Sequence, residues 1–329
     1  MIYFNNPSTD VYFNLALDEY LLKHDFGDEI FYLWQNNNTV VVGKNQNTLE
    51  EINLKAIEED QVNIIRRSSG GGAVYQDKGN LCFSFIVDKN SPLAKNYQTI
   101  LQPIIEVLQK LGLSAKFAGK NDIEINGKKI SGNAQLTYQN RLLHHGTILF
   151  DVDLAKLPKY LNVDQSKIIS KGIKSIPARV TNIRPLLKTD ITIEQFRNFI
   201  IQQLVSDKGV QVLDLPAQVI AEVNKLADEK YRTWDWNYGS SPEFTYKHKI
   251  RYEGKGTVDV RLNVEQGKIT KIKIFGDFLG SQGTEQLEAA LINCKYTCTD
   301  IKNVLEQFDI QAIFGQNFTT DEIIDVVIN

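Results

Sequence analysis

The sequence predicts an α+β fold: a mixed, largely antiparallel sheet flanked by helices, followed by a smaller α+β unit. Three observations predict it. Helical and strand patterns mix over the first half, and an Asn126-Gly127 pair between two strand patterns is the turn of a two-residue hairpin, which joins antiparallel strands. A turn-rich, aromatic stretch from Trp234 to Pro242 then separates this body from a compact pattern of three strands and three helices. Finally, 329 residues exceed the length that one core usually serves, so two domains are expected, residues 1–244 and 245–329.

The elements follow in order. Leu15, Ala16, Leu21 and Leu22 with Asp18 and Glu19 give a helix after the capping residues Ser8-Thr9-Asp10. Short strands are expected at Ile30–Trp34 and Thr39–Gly43, a helix at Leu49–Asp60 and a buried strand at Val62–Ile65. Ala73–Gln76 and Leu81–Val87 read as a hairpin turning at Asp77-Lys78-Gly79-Asn80, and a helix at Tyr97–Leu111 follows. A meander then runs through Asp122–Ile125, Lys128–Tyr138 and Leu142–Val152. Beyond Lys156 the chain is loop-rich until helices at Glu194–Ser206 and Ala217–Lys230. The smaller unit has strands at Tyr246–Tyr252, Gly256–Val264 and Ile269–Phe275, with helices at Glu285–Ile292, Asp300–Phe308 and Thr320–Val327.

Composition narrows the function. A formal net charge of -3 gives no global attraction to nucleic acid or to an anionic membrane, so any basic site must act locally. No apolar run approaches the roughly 20 residues that cross a bilayer, and the first residues lack a leader pattern, so a cytoplasmic enzyme is expected. Three cysteines are too few for a disulfide framework, and Cys294 and Cys298 have no nearby His or second pair to complete a zinc site.

The densest chemistry lies in Arg66-Arg67-Ser68-Ser69-Gly70-Gly71-Gly72-Ala73-Val74, set between apolar runs. Three glycines let backbone N–H groups approach a phosphate without interference from Cβ, and arginine supplies forked, permanently charged donors. Adjacent strand residues face opposite ways, so at most one arginine enters a given cleft. Arg67, nearer the glycines, is the favoured contact, with Arg66 left open. Gly119-Lys120-Asn121-Asp122 leads into Lys128-Lys129-Ile130-Ser131-Gly132-Asn133. Strict alternation places Lys129, Ser131, Asn133 and Gln135 on one polar face, so Lys129 is either a solvated lysine or a point charge for phosphate or carboxylate. Asp122 can hold Mg²⁺ beside a phosphate or cap a turn. His144 and His145 face opposite sides of one strand and cannot chelate a metal together; a hydrogen-bonding role suits one of them better.

Taken together these stretches resemble the lipoate–protein ligases, relatives of biotin ligases and octanoyltransferases. The resemblance rests on Trp34-Gln-Asn36, Thr39-Val-Val-Val-Gly43-Lys-Asn45-Gln-Asn47, Arg66 through Val74, Gly79-Asn80, Gly119-Lys-Asn-Asp122, Lys129-Ile-Ser-Gly132, His144-His-Gly-Thr147, Lys171-Gly-Ile-Lys-Ser175 and Arg179-Val-Thr-Asn182. It implies a catalytic domain related to the class II aminoacyl-tRNA synthetases and a C-terminal accessory domain. It also implies a reaction: ATP and lipoate form lipoyl-AMP, and the lipoyl group passes to a lysine of an apo lipoyl domain, such as a dehydrogenase E2 subunit or the glycine-cleavage H protein. By this resemblance Lys129 bridges the carboxylate and the α-phosphate. Arg67, Gly71, Gly72, Ala73, Val74, Tyr75, Asn80 and Asn121 contact ATP, and Asp122 sits by Mg²⁺. Val42, Gly43, His145 and Gly146 line the lipoate slot along with Lys129. Gln76 departs from the family pattern, where histidine often precedes the aspartate.

An octanoyltransferase of the same fold needs a thiolate near its cleft. The segment Lys116–Asp151 has no cysteine, and Cys82 is interleaved with apolar residues, which argues for a buried thiol. A biotin ligase usually carries a Gly-Arg-Gly-Arg type of loop, unlike the one here. A non-catalytic nucleotide or lipoyl-domain binder needs the loop but has no use for Lys129 and Asp122 together.

Overall fold

The computed structural model describes residues 1–162, 179–205, 209–238, 246–265 and 267–328. It divides into two compact units. The first comprises Met1–Val41, Ile52–Ile65 and Val74–Thr233; the second comprises Val42–Glu51, Arg66–Ala73 and Trp234–Asn329. The expected boundary at 244 and the Lys171–Ser175 motif lie outside the described residues.

The first unit is built on eight strands: β1 (Ile2–Asn5), β2 (Ile30–Trp34), β6 (Asn80–Asp88), β7 (Ala115–Ala118), β8 (Asp122–Ile125), β9 (Lys128–Tyr138), β10 (Arg141–Leu149) and β11 (Gln211–Asp214). Their order is β11-β1-β2-β6-β10-β9-β8-β7. Only β1 pairs in parallel, with β11 and β2, so the sheet is mixed but largely antiparallel, as expected. Helices Tyr97–Lys110 and Ile193–Val205 bury their apolar faces with Phe31, Phe83, Phe85 and Ile148 in one core. The helix Val11–Lys23, capped by Asp10, whose side chain accepts the Tyr12 N–H at 2.9 Å, carries Asp18 to Tyr32, Ser84 and His145.

Several expectations are corrected. The segments Val74–Gln76 (β5) and β6 do not form a hairpin: β5 pairs with β3 (Thr39–Val42), and β6 runs through the middle of the large sheet. Eight of the nine residues of β6 are buried, which suits a central strand covered on both faces and not the arm of a surface hairpin. The helix expected over Leu49–Asp60 is two helices, Thr48–Glu51 and Leu54–Glu59, separated where Ile52 bridges to Leu161. Strands β1, β7 and β11 are additions. They have four residues each, too short for alternation to stand out against the surrounding pattern.

In the second unit, β12 (Tyr246–Tyr252), β13 (Gly256–Glu265) and β14 (Lys268–Gly276) form the expected antiparallel meander. Val258, Val260, Leu262, Ile272 and Ile274 pack with Leu287, Ile301, Phe314 and Ile323 of the helices that follow. No helix among the described residues is long and apolar enough to cross a membrane.

Candidate active site

In the first unit the site is organised by a defect in a strand ladder. β8 and β9 pair with a register shift, in which Ile123 opposes Ser131 but Glu124 opposes Lys129, so Ile130 is an extra residue. A one-residue bulge reverses facing for everything beyond it. Lys129 therefore leaves the face of Ser131 and Asn133, where strict alternation puts it, and joins that of Gly132. Its ammonium lies 2.7 Å from Asp122 Oδ1, and Asp122 pairs with Gly132 across the ladder. Asp122 Oδ1 is buried and has no hydrogen-bond partner among the described residues, so its contact with Lys129 is an ion pair held by position. The lysine side chain remains 36 % exposed. A Cβ on Gly132 would come within 2.7 Å of Lys129 Nζ and 2.9 Å of Cε, so the bare Cα is what lets the lysine lie across it. The Lys129 backbone is clamped on its other edge: its N–H donates to Arg179 O at 2.9 Å, and its carbonyl accepts the Thr181 N–H at 3.0 Å.

The same face continues across the sheet. Gly132 N–H donates to Thr147 Oγ1 at 3.3 Å, and His145, two residues before Thr147, shares its side of β10. His145 Nδ1–H donates to Asp18 Oδ2 at 2.7 Å. Asp18 Oδ1 accepts from Ser84 Oγ at 2.6 Å and from the Tyr32 hydroxyl, while Trp34 Nε1–H donates to Ser84 Oγ at 2.9 Å. Burial, and after it the Asp18 charge, pushes the Tyr32 phenol far above its ordinary range, so it stays a donor. Asp18, Tyr32 and Ser84 were not singled out by motif. A signal exists, because Asp18 falls with Leu15 and Leu22 at the i, i+3, i+7 spacing of the helix's apolar stripe, and a buried acid there requires partners.

The opposite face is closed and structural. Asn133 Nδ2–H donates to Asn121 O at 2.9 Å and to Ser131 Oγ at 3.1 Å, and Asn121 Nδ2–H donates to Asn133 O at 2.6 Å. His144 lies between two amides, with Nδ1 3.1 Å from Gln135 Nε2 and Nε2 3.3 Å from Asn133 Oδ1. Burial, with a smaller contribution from His145, lowers its pKa to about 3; the ring is neutral, accepting at Nδ1 and donating at Nε2. A Cβ on Gly146 would lie 1.9 Å from Asn133 Oδ1 and 2.6 Å from Phe83 Cζ. Gly146 thus makes room for a side chain of the protein itself. Asn80 Nδ2–H donates to Cys82 Sγ at 3.1 Å, while Asn80 Oδ1 is buried and has no hydrogen-bond partner among the described residues. The Tyr75 hydroxyl donates to Asn38 Oδ1 at 3.0 Å.

In the second unit the two arginines have different duties. Arg66 is buried, and its guanidinium donates to the carbonyls of Gly43, Lys44, Gln46 and Trp236 and to Thr48 Oγ1. Burial lowers its pKa to about 10, and its donors are spent on the fold. Arg67 Nη2 donates to Gly70 O at 2.6 Å and to Gly72 O at 2.9 Å, so its guanidinium sits inside the glycine loop and fixes its curl. Gly71 has φ +91°, open to glycine, and donates its N–H to Phe278 O at 3.1 Å. A Cβ on Gly43 would meet Gly71 O at 1.9 Å, so Gly43 is required by the loop's close approach. Val42 O accepts the Arg67 N–H at 2.9 Å. Of the expected ligand contacts, Val42, Gly43, Arg67, Gly71, Gly72 and Ala73 belong to this unit; Val74, Tyr75, Asn80, Asn121, Asp122, Lys129, His145 and Gly146 belong to the first.

Two groups bear on the chemistry available. Cys82 is buried, and that burial pushes its thiol far up, which removes the thiolate that a thioester route needs. No cluster of three or more His, Cys, Asp or Glu that could hold a metal occurs among the described residues. Asp122 is a single, partly exposed carboxylate ion-paired to Lys129, and Mg²⁺ is commonly bound through one or two carboxylates plus substrate phosphates.

Comparison with known proteins defines the class. Residues 10–205 match the "Lipoyl protein ligase A/B catalytic domain" and residues 241–327 match the "Bacterial lipoate protein ligase C-terminus". Lipoate–protein ligase 1 of Staphylococcus aureus is 41% identical over 312 residues, 94% of this chain and 95% of the relative. The chain belongs to the lipoate–protein ligase family. Among solved structures, LipL1 of P. falciparum in complex with lipoate has a TM-score of 0.78 at 30% identity, with 99% of this chain and 98% of that one covered. A lipoate-protein ligase A bound with ATP has a TM-score of 0.61 at 25% identity, covering 72% and 98%. A bipartite ligase of Thermoplasma acidophilum, described with its E2 lipoyl domain, has a TM-score of 0.62 at 26% identity, covering 74% and 98%.

Proposed function

We propose that this enzyme joins lipoate to protein in two steps, with lipoyl-AMP as the intermediate. The observation that carries the proposal is the Lys129 ammonium, fixed 2.7 Å from Asp122 over the bare Cα of Gly132 and still open to solvent. In the first step a lipoate carboxylate oxygen attacks the α-phosphorus of ATP, the bond to the β-phosphate breaks and pyrophosphate leaves. Two anions must meet, and a fixed cation between them offsets their repulsion and stabilises the charge that grows on the phosphoryl oxygens. Lys129 has the charge, the exposure and the backbone clamp for that role. Asp122 would hold Mg²⁺, with Asn121 alongside; that ion, when bound, supplies charge neutralisation at the phosphates. Arg67 acts by shaping the glycine loop, and Gly71, Gly72, Ala73, Val74, Tyr75 and Asn80 contact the nucleotide. Val42, Gly43 and His145 line the lipoate slot.

In the second step a lysine ε-amine of the acceptor attacks the acyl carbon and AMP departs. The acceptors are apo lipoyl domains, of the dehydrogenase E2 or glycine-cleavage H type, and the reaction proceeds in the cytoplasm, where ATP is supplied. The experiment is incubation with ATP, Mg²⁺ and lipoate, with and without an apo lipoyl domain, followed by intact-mass measurement. Lipoyl-AMP is expected without the acceptor and a single lipoylated lysine with it. Lys129→Ala should lower adenylate formation by at least about 10³-fold while leaving the melting temperature unchanged. A normal rate in that variant removes Lys129 from the mechanism.

A further inference from the structure

The three-stranded sheet of the second unit has two unlike faces. Its ladders pair Lys247 with Arg261, Lys249 with Asp259 and Arg251 with Thr257 across β12 and β13, so these side chains share one face. Across β13 and β14, Arg261 pairs with Lys273, Asp259 with Phe275 and Asn263 with Lys271 on that same face. Val258, Val260, Leu262, Ile272 and Ile274 take the alternate positions and pack into the core with the helices. The face away from the helices therefore carries six cations, Lys247, Lys249, Arg251, Arg261, Lys271 and Lys273, and one carboxylate, Asp259, in a chain whose formal net charge is -3.

Asp259 fixes the centre of this face. Arg261 donates to it through Nε at 3.1 Å and Nη2 at 3.0 Å, and the same guanidinium lies 4.8 Å over the Phe275 ring. Lys247 Nζ stands 3.9 Å from the Asp259 carboxylate, while Asp277, just past β14, and Glu288, on the helix Glu285–Leu291, reach Arg251 at 4.0 Å and Lys273 at 2.8 Å. Asp259 and Arg261 are buried, whereas Lys247, Lys249 and Lys271 of the outer strands are exposed. Lys247, Arg261 and Lys273 stand in one row across the three strands, and like charges directly opposite one another destabilise a sheet. An anionic surface laid against the row would offset that repulsion.

The extent of the face decides the class of partner. Strand spacing and rise give it about 33 Å by 14 Å, or about 450 Å², too broad for one small anion. It is about half of the roughly 800 Å² that each partner commits to a stable complex. A second copy in a two-fold pair would present the same patch and set cations against cations. A small, charged contact suits a protein that is steered in, reacts and leaves. The proposed function has one macromolecular substrate, the acceptor. Resting on that function, we propose that this face docks the apo lipoyl domain through a cluster of carboxylates on the surface of that domain.

The test uses the full chain carrying Lys247→Glu and Lys271→Glu together. The first carboxylate falls opposite Arg261 and the second opposite Asn263, so neither puts like charges directly opposite. Adenylate formation, lipoyl transfer to an apo E2 lipoyl domain and transfer to hydroxylamine, a small uncharged acceptor, are measured from about 0.01 M to about 0.15 M ionic strength, where the screening length falls from about 30 Å to about 8 Å. Adenylate formation, transfer to hydroxylamine and melting temperature should match wild type. The KM for the lipoyl domain should rise about tenfold at low salt with kcat unchanged, and the gap should narrow to about twofold at the higher salt. Lys247→Gln with Lys271→Gln, which removes charge without reversing it, should raise KM about threefold, and this pair decides if the glutamates lower the melting temperature. An unchanged KM at every salt overturns the inference and leaves the lysines as guards of two edge strands. A defect that ignores salt, or that appears equally with hydroxylamine, overturns it too. So does a loss of binding to duplex DNA or anionic vesicles with acceptor kinetics intact. If wild type forms no adenylate, the two-step function fails, and the dissociation constants of wild type and variant for the apo domain over the same salts still decide the docking face.

Discussion

His144 and His145 are neighbours in sequence and belong to opposite faces of β10, where they meet opposite surroundings. His144 is enclosed by the amides of Asn133 and Gln135 and by the rings of Phe83 and Tyr97, and it is held neutral. His145 donates to a carboxylate and stands on the face that carries Thr147, Gly132 and Lys129. One face fills space with rings and amides; the other is a line of charged and polar pairs that ends in the partly exposed Lys129 ammonium. Residue type does not distinguish them. Partners do, and the two glycines show the same division: Gly146 is bare because Asn133 and Phe83 need its volume, and Gly132 is bare because Lys129 needs a path.

The largest effect should come from breaking the open face without touching the fold. Gly132→Ala places a methyl group against only the flexible end of Lys129, so the ammonium shifts off Asp122. Adenylate formation should fall about 10²-fold with no change in melting temperature. A matching loss of stability would mean that Gly132 belongs with the packed face. Next in size, Gly146→Ala collides with Asn133 and the Phe83 ring and should cost about 1–3 kcal/mol, read as a melting temperature lower by several degrees. If Gly146→Ala keeps full stability but loses lipoate affinity, Gly146 is a ligand contact as the family pattern implies.

The smallest effect concerns His144 alone. Its pKa is depressed from the unfolded value near 6.5 to about 3, so the unfolded chain binds a proton that the native chain refuses. The stability associated with the neutral ring is fully present above pH 6.5 and is lost as pH falls toward 3. Between pH 7.5 and 5.5 this amounts to about 1 kcal/mol. Urea unfolding of His144→Gln should lack that slope, whereas an identical slope in the variant would assign it to other groups.

Much of this was legible in the sequence. The meander from Asp122 onward, the C-terminal strands and the capped first helix follow from periodicity and turn chemistry. Three things did not, each for a physical reason. The facing of Lys129 depends on a bulge, and one extra residue leaves no mark on an alternation pattern until the partner strand is known. The partner of β5 is β3, a non-local choice that the turn after Gln76 conceals. The division of duty between Arg66 and Arg67 is decided by groups distant in sequence, the carbonyls of Gly43, Lys44 and Gln46 on one side and of Trp236 on the other, which spacing cannot reach.

Arg66 has a consequence for the order in which this protein becomes competent. Its guanidinium gathers the early carbonyls of Gly43, Lys44 and Gln46 and that of Trp236, 170 positions later, and Gly71 of the same segment waits for the carbonyl of Phe278. During synthesis the amino-terminal part leaves the ribosome first and begins to fold at once. The glycine loop cannot finish then, because Trp236, Asn237 and Phe278, which accept its hydrogen bonds, have not been translated. A nascent or prematurely terminated chain therefore displays the loop's sequence without its shape, and the loop acquires its final form only when nearly the whole message has been read.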